Sequence, residues 1–224
     1  MKFRLSVLTL AAAILGASPA AAADRFGDFY LGLRAVGAYA QLHDQSTVGF
    51  TGAHERTNAT DFTIGGGGVA GFRFFRVPLR MEVEAHYTYR FDWDNRDITA
   101  AVVDYESDVD TLAVLFNAIL DWRNSSSFTP YVGVSLGWAR HHNETTRTVI
   151  PTQVKLTSDN TSNNFAYGMM LGVDWNLDEN WAIGLGYRFI RMGEVSTGLF
   201  SSGDRIDAEQ YESHDVLLDL KYTF

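Results

Sequence analysis

The chain has 224 residues, with 20 Gly, 15 Phe, 10 Tyr and 5 Trp, only 4 Pro, no Cys, and a formal net charge of −9 at pH 7. The lack of Cys excludes disulfides, thiolate metal sites, iron–sulfur clusters and a cysteine nucleophile, and the acidic balance argues against a nucleic-acid partner. No apolar run long enough for a membrane-spanning helix follows residue 23, so any membrane role of the mature chain has to use strands.

The first 23 residues have the pattern of a secretory signal peptide. Lys2 and Arg4 form a basic start, residues 5–15 are apolar, and Ala23 ends a small-residue cleavage site before Asp24. We therefore predict that residues 1–23 are removed on export and that residues 24–224 form a single domain.

The rest of the chain shows the two-residue period of β-strands. From Leu79 to Trp93 the odd positions are apolar or aromatic, whereas the even positions are mostly charged. Strict alternation over this length predicts a long strand with one apolar and one polar face. The same pattern predicts eight strands, at about residues 29–41, 62–75, 79–93, 109–122, 130–141, 164–176, 181–192 and 211–224.

The connections between these segments alternate in length. Short links at 76–78, 123–129 and 177–180 alternate with long stretches rich in Thr, Ser, Asn and Asp. Short turns at one end and long loops at the other are typical of a transmembrane β-barrel, whose turns are periplasmic. Composition predicts that the stretches 145–164 and 193–208 are solvated and mobile. The β-forming residues within 146–157 predict that strands five and six continue as a hairpin above the membrane.

The direction of the apolar face separates a membrane barrel from a soluble, lipocalin-like barrel. The alternate strand positions that form the polar face (the polar parity) include many glycines, such as Gly133, Gly172 and Gly184. These glycines leave room for long charged side chains in a narrow lumen. Aromatic residues also lie near both ends of the strands, as expected at two lipid–water interfaces. The predicted belts contain Trp122, Tyr131, Trp175, Trp181 and Phe224 near the short turns, and Tyr39, Phe91, Trp93 and Trp138 near the long loops.

These features favour apolar side chains that face lipid. We therefore predict an all-β fold, an eight-stranded antiparallel up-and-down transmembrane β-barrel with four long external loops and three short periplasmic turns.

Several stretches resemble small outer-membrane barrels of the opacity and OmpA-transmembrane type, a family whose members are often labelled porins. They are residues 29–34, the glycine-rich run 65–73, the pair 79–84 and 87–90, and residues 129–134. The end of the chain resembles the terminal strand that the barrel-assembly machinery of Gram-negative bacteria recognises. This assembly signal would consist of Leu218, Leu220, Tyr222 and the C-terminal Phe224. The resemblance implies location in the outer membrane more safely than it implies transport.

Charged side chains on the polar parity form a predicted lumen charge network. Because eight strands enclose an interior that side chains can fill, we expect paired charges to plug the bore. The alternative is a narrow path for water or ions, gated by the same pairs. The network comprises Arg34, Arg73, Arg80, Glu82, Glu84, Arg90, Asn117, Asp121, Asp174, Arg188, Asp215, Asp219 and Lys221.

Two histidine motifs offer weaker candidates for chemistry. His86 and Thr88 resemble the histidine and hydroxyl of lipid A-modifying barrels, but both fall on the lumen parity, away from acyl chains. His141 and His142 are adjacent on a strand and point to opposite faces, which argues against a metal pair. We predict no catalytic residue, metal or cofactor.

The predicted function is that of a monomeric outer-membrane protein with a structural and surface-exposed role. Its expected partners are outer-membrane lipid, lipopolysaccharide, the barrel-assembly machinery and a host-surface ligand at the loops. The alternatives are a porin-like channel for ions or small solutes and, less favoured, a lipid A-modifying enzyme.

Overall fold

The computed structural model describes residues 26–48, 54–58, 60–97, 103–201, 203 and 205–224, and at 44, 54–58 and 97 it describes the backbone alone. The predicted signal peptide, residues 1–23, lies outside the described residues. No helix in the described ranges is long and apolar enough to cross a membrane. These ranges form the strands β1 (Gly27–Val48), β2 (His54–Asn58), β3 (Thr60–Phe74), β4 (Leu79–Asp97), β5 (Val103–Asp121), β6 (Phe128–Val149), β7 (Val154–Asn176), β8 (Trp181–Arg191), β9 (Val195–Ser196) and β10 (Arg205–Thr223).

The eight long strands form a closed antiparallel ring. Each pairs with the next in the order β1, β3, β4, β5, β6, β7, β8 and β10, and β10 pairs back with β1. The short strands β2 and β9 pair with β4 and β10 respectively. The ring is the predicted up-and-down barrel, in which closure leaves no sheet edge unpaired where lipid surrounds it.

The outward face of the long strands carries an apolar band around the barrel. On β5 its alternate residues run from Leu112 to Leu120, and on β6 they run from Phe128 to Trp138. Leu220 on β10 is 42% exposed on this face, whereas Glu84 on β4 is fully buried inside. The predicted orientation is therefore correct, with apolar side chains towards lipid and ionic side chains around the axis.

Beyond this band the strands continue and their apolar side chains change sides. On β5, Leu112 faces outward, but Val109, Tyr105 and Val103 face inward while acidic residues alternate with them on the outside. A sheet with water on its outer face buries its apolar side chains inside, so this half of the barrel has an ordinary hydrophobic core. We call this cluster the upper core; it includes Leu42, Trp93, Leu115, Ile190, Met192, Ile206 and Tyr211.

The strands extend well past their predicted ends on the long-loop side. The hairpin of β6 and β7 pairs without interruption up to Val149 opposite Val154, which confirms its predicted continuation above the membrane. The predicted start of β5 near residue 109 is likewise too late, since the strand begins at Val103.

A β-bulge in β4 makes three of the predicted side-chain directions wrong. Arg90 has a φ of 47°, and the register with β5 shifts between Thr88 and Phe91. One extra residue exchanges the two faces of a strand beyond the bulge. Arg90 therefore points to solvent rather than into the lumen, whereas Phe91 and Trp93 are fully buried inside and belong to neither aromatic belt.

The segment that joins β8 to β10 also differs from its prediction. Residues 192–201, which we call the strap, lie across the mouth of the barrel, and β9 is part of them. Val195 and Phe200 are buried in the upper core, so the expectation of a solvated, mobile segment is wrong for the strap. Met192, Val195 and Phe200 point inward, while Glu194 and Leu199 face out.

Candidate functional site

Ion pairs fill the bore within the apolar band, and Arg34 is one of their centres. Its Nε and Nη2 donate to the two carboxylate oxygens of Asp219 at 2.7 and 2.8 Å. Its Nη1 donates to Glu84 and lies 3.1 Å from an oxygen of Glu82. The Asn117 amide donates to both glutamates, at 3.0 and 2.9 Å. These buried contacts connect β1, β4, β5 and β10 across the lumen.

Arg188 forms the second centre. Its Nε and Nη2 donate to one oxygen of Asp215 at 2.9 and 2.7 Å, and its Nη1 donates to Glu84 at 2.8 Å. His86 Nδ1 lies 2.8 Å from the same Glu84 oxygen. Glu84 is thus shared by two guanidinium groups and an imidazole, which makes it the most connected carboxylate of this part of the bore.

A third group of charges lies nearer the short turns. Arg80 contacts Asp174 at 2.6 Å and Asp121 at 3.4 Å, and Lys221 donates to Asp174 at 2.9 Å. Arg73 lies 3.3 Å from Asp121, and its side chain is 26% exposed, so it marks the end of the network. Because such charges are buried in the bore, removing one partner leaves an uncompensated ion and is strongly destabilising.

Tyr131, predicted for the lower aromatic belt, lies instead inside the bore. It is 4% exposed, and the Arg80 guanidinium lies 5.1 Å from its ring centre. A Cβ at Gly172 or Gly186 would lie 2.5 Å from the Tyr131 hydroxyl, and one at Gly184 would lie 2.6 Å from an Asp174 oxygen. These lumen glycines therefore provide the space that Tyr131 and the ionic side chains occupy.

The other predicted belt and terminal residues lie on the outer face. Trp122, Trp175 and Trp181 surround the end with the short turns, and Trp138 lies at the opposite limit of the apolar band. The predicted assembly signal, Leu218, Leu220, Tyr222 and Phe224, forms the outward row of β10 and the residue after it.

His141 crosses the upper core and holds the strap. It is buried, with its Nδ1 2.8 Å from the Thr111 hydroxyl and its Nε2 2.8 Å from the Met192 carbonyl. Because a carbonyl can only accept, the neutral ring donates from Nε2 and accepts from Thr111. Burial lowers the pKa of His141 to about 4, so the imidazole is uncharged at neutral pH.

Three asparagines fasten the strap to the barrel wall. Asn143 and Asn160 donate to the Ser196 carbonyl at 3.1 and 3.0 Å, and Asn164 donates to the Glu194 carbonyl at 2.7 Å. Sequence reasoning missed this closure of the mouth. The signal that could have indicated it lies in β5, where the apolar residues move from even to odd positions between Leu112 and Val109. This change implies a core above the membrane.

The remaining histidine candidates are separated by the fold. His86 and Thr88 are buried on the lumen side of β4, away from the lipid-facing surface. His141 points into the upper core, whereas His142 is exposed on the outer face.

An acidic row crosses the outer face above the apolar band. Asp92, Asp108, Glu144 and Asp159 lie directly opposite one another on β4, β5, β6 and β7. Like charges in facing positions repel, and a cleft of about 470 Å³ opens beside them. Partial burial raises the pKa of Asp92, and a hydrogen bond with Asp108 and the charges around it raise it further.

Comparison with known proteins gives consistent matches. A family model described as outer membrane protein beta-barrel domain matches residues 8–224. Outer membrane protein PagN of Salmonella typhimurium is 29% identical over an alignment of 182 residues that covers 74% of this chain and 74% of its own. Neisserial surface protein A has a similar fold, with a TM-score of 0.52 and 17% identity, covering 88% of this chain and 97% of its own.

Proposed function

Since this chain belongs to the outer membrane protein beta-barrel domain family, we propose that it is a closed anchor that presents a rigid β-sheet surface outside the cell. The observation that carries the proposal is the filling of the bore in two layers. Ion pairs occupy the membrane half, and the upper core with the strap occupies the half beyond it.

The lower layer supports closure because its charges share partners. Glu84 joins Arg34 to Arg188, and Asp174 joins Arg80 to Lys221. Movement of an ion through this layer would require several buried pairs to separate at once, at several kcal/mol for each ion left unpaired.

The upper layer adds a dry barrier above the charges. Phe91, Trp93 and Val195 are fully buried around the axis, and the strap is fixed at Met192, Glu194 and Ser196 by side chains from β6 and β7. Water and ions avoid an apolar constriction of this kind.

The closed barrel supports a sheet that stands clear of the membrane. Above the apolar band, β4 to β7 keep full pairing, up to Asp97 opposite Val103 and Val149 opposite Val154. We propose that their outward side chains contact lipopolysaccharide or a host-surface molecule, and that the barrel works as a monomer without a cofactor. We also propose that the β10 row of Leu218, Leu220, Tyr222 and Phe224 acts as its assembly signal, and that residues 1–23 are its export signal.

A narrow channel is the second candidate. The observation that favours it is that Arg34 contacts both Glu82 and Glu84, because an arginine that has two neighbouring acids can exchange partners. A lipid A-modifying activity has no such support, since His86 faces the lumen.

Single-channel recording of the refolded protein in planar bilayers tests the proposal. We expect no stable conductance steps from the wild type, and none after the exposed Arg96→Ala change, which serves as a control. A stable wild-type conductance that is abolished by Arg80→Ala or Glu82→Gln would refute closure and establish the channel.

Barrel integrity must be measured in parallel. A folded barrel migrates differently on a gel before and after boiling, and each variant is recorded only if it keeps this shift. Loss of acyl chains from lipid A on incubation with the wild type, dependent on His86, would instead establish the catalytic alternative.

A further inference from the structure

Six outward side chains form a compact patch on two neighbouring strands, at the upper edge of the apolar band and just above it. The strand register places Trp138 opposite Phe165, Arg140 opposite Asn163, and His142 opposite Thr161. We call this set the rim patch; from the membrane upward it comprises Trp138 and Phe165, then Arg140 and Asn163, then His142 and Thr161.

Arg140 differs from its neighbours at this level in having no acidic partner among the described residues. Arg90 pairs with Asp108, and Arg191 pairs with Glu212 at 2.7 Å. On the neighbouring strand β5, Leu112 lies opposite Arg140 and Asp110 lies opposite His142. Asp110 accepts from the Arg90 backbone N–H at 3.0 Å and from the Tyr87 hydroxyl. Arg140 is exposed, so its guanidinium is available to an external anion.

Aromatic rings lie directly below this free cation. Phe165 is 64% exposed and Trp138 is 38% exposed, both on the lipid-facing side. Exposed aromatic rings at the edge of an apolar band lie at the lipid–water interface, where their faces can pack against the apolar side of a sugar.

Hydrogen-bonding groups complete the patch above and beside Arg140. Asn163 is exposed and carries both amide donors and an acceptor. His142 uses Nδ1 in a 3.3 Å contact with the Thr161 hydroxyl, which leaves its Nε2 open to solvent. A planar guanidinium binds phosphate through two parallel hydrogen bonds, so the set matches a phosphorylated sugar.

We propose that the rim patch is a binding site for the phosphorylated aminosugar headgroup of an outer-leaflet glycolipid of the lipid A type. Arg140 binds a phosphate, Asn163 and His142 bind sugar hydroxyls or amides, and Trp138 and Phe165 support the sugar where its acyl chains enter the apolar band. This inference deepens the lipopolysaccharide contact of the proposed function and rests on it.

The acidic row limits how the headgroup can lie. Glu144 and Asp159 face each other one outward pair above His142 and Thr161, and they would repel a second phosphate at that height. The headgroup phosphate is therefore held at the level of Arg140, next to the lipid surface.

Binding can be measured on the refolded full barrel in detergent micelles by titration with lipid A that carries its phosphates. We expect saturable protection against thermal loss of the heat-modifiable gel band. Arg140→Ala should weaken apparent binding about tenfold or more, because a charge-assisted hydrogen-bond pair is lost. Arg140→Lys should retain part of it, and Arg90→Ala, which removes an arginine already paired with Asp108, should leave it unchanged.

Further arms identify the source of the recognised phosphate. Dephosphorylated lipid A should bind the wild type as weakly as phosphorylated lipid A binds Arg140→Ala. Inorganic phosphate at millimolar concentration should not compete with lipid A. Equal binding of lipid A to the wild type and Arg140→Ala would overturn the inference, as would full competition by inorganic phosphate. Neither result bears on bore closure, which conductance tests separately.

Discussion

Replacing His141 by Gln should remove the steepest acid dependence of stability in the upper core. Between the unfolded value of 6.5 and the folded value of about 4, the unfolded chain binds a proton that the buried imidazole does not. Stability from the neutral ring is therefore complete above pH 6.5 and is lost as the pH falls towards 4.

The magnitude follows from the shift in the pKa of His141. A shift of one pKa unit corresponds to about 1.4 kcal/mol, so the imidazole should contribute a loss of about 3 kcal/mol across this window. Gln retains a donor and an acceptor for the Met192 carbonyl and the Thr111 hydroxyl, but it does not titrate.

Urea unfolding of the refolded barrel, followed from pH 8 to pH 4, measures this difference. The wild type should be the more stable protein at pH 8, and its free energy of unfolding should fall below that of His141→Gln as the pH is lowered. The exposed control His142→Asn should follow the wild-type profile. Parallel curves for the wild type and His141→Gln over this range would refute the assignment of a buried neutral imidazole.

Three other substitutions have expected outcomes that urea titration or the heat-modifiable gel shift can measure. A Cβ at Gly67 would lie 2.0 Å from the Ala85 carbonyl oxygen, so Gly67→Ala should destabilise the barrel by about 1–3 kcal/mol or prevent folding. A Cβ at the outward Gly66 would meet nothing nearer than 3.5 Å, so Gly66→Ala should be tolerated. Equal stability of the two variants would contradict the packing described. Arg188→Ala should cost about 3–5 kcal/mol because it leaves buried carboxylates unpaired, and a loss as small as that of the exposed Arg96→Ala would show that the bore is solvated. Because the pKa of Asp92 is raised in the folded barrel, the contribution of this carboxyl to stability declines as the pH rises through that pKa. Asp92→Asn should therefore raise the urea midpoint at neutral pH and low salt. An unchanged midpoint would indicate that the charges of the acidic row are screened.

The membrane half of the fold follows from the sequence because lipid imposes a simple rule there. Lipid on one side and a narrow ionic bore on the other give strict alternation, so Leu220 and Glu84 could be placed on opposite faces from their parity. Strand number and orientation depend only on this rule.

The bulge at Arg90 could not be predicted from alternation alone. Tyr89, Phe91 and Trp93 keep one parity along the sequence, but the outer environment changes from lipid to water between them. On β5, which has no bulge, the apolar parity itself changes between Leu112 and Val109. These two strands therefore adjust to water in different ways: β5 changes its apolar face, and β4 uses an inserted residue.

The strap and Tyr131 escaped prediction for a different reason. Val195 and Phe200 are among the few apolar residues of a polar stretch, and their burial depends on a cavity that only the closed ring creates. Tyr131 is an aromatic residue near the start of a strand, as a belt residue would be. Its position against the lumen glycines Gly172 and Gly186 becomes evident only once β6, β7 and β8 are paired.

The alternation above the membrane has an evolutionary consequence. Substitutions at outward positions from residue 155 to 163 of β7 can alter what a partner meets without disturbing the packing behind them. A single inserted or deleted residue in the same strand would exchange the two faces and expose the interior. Variation among relatives should therefore accumulate there as point substitutions, and changes of length should concentrate at the hairpin tip near Pro151.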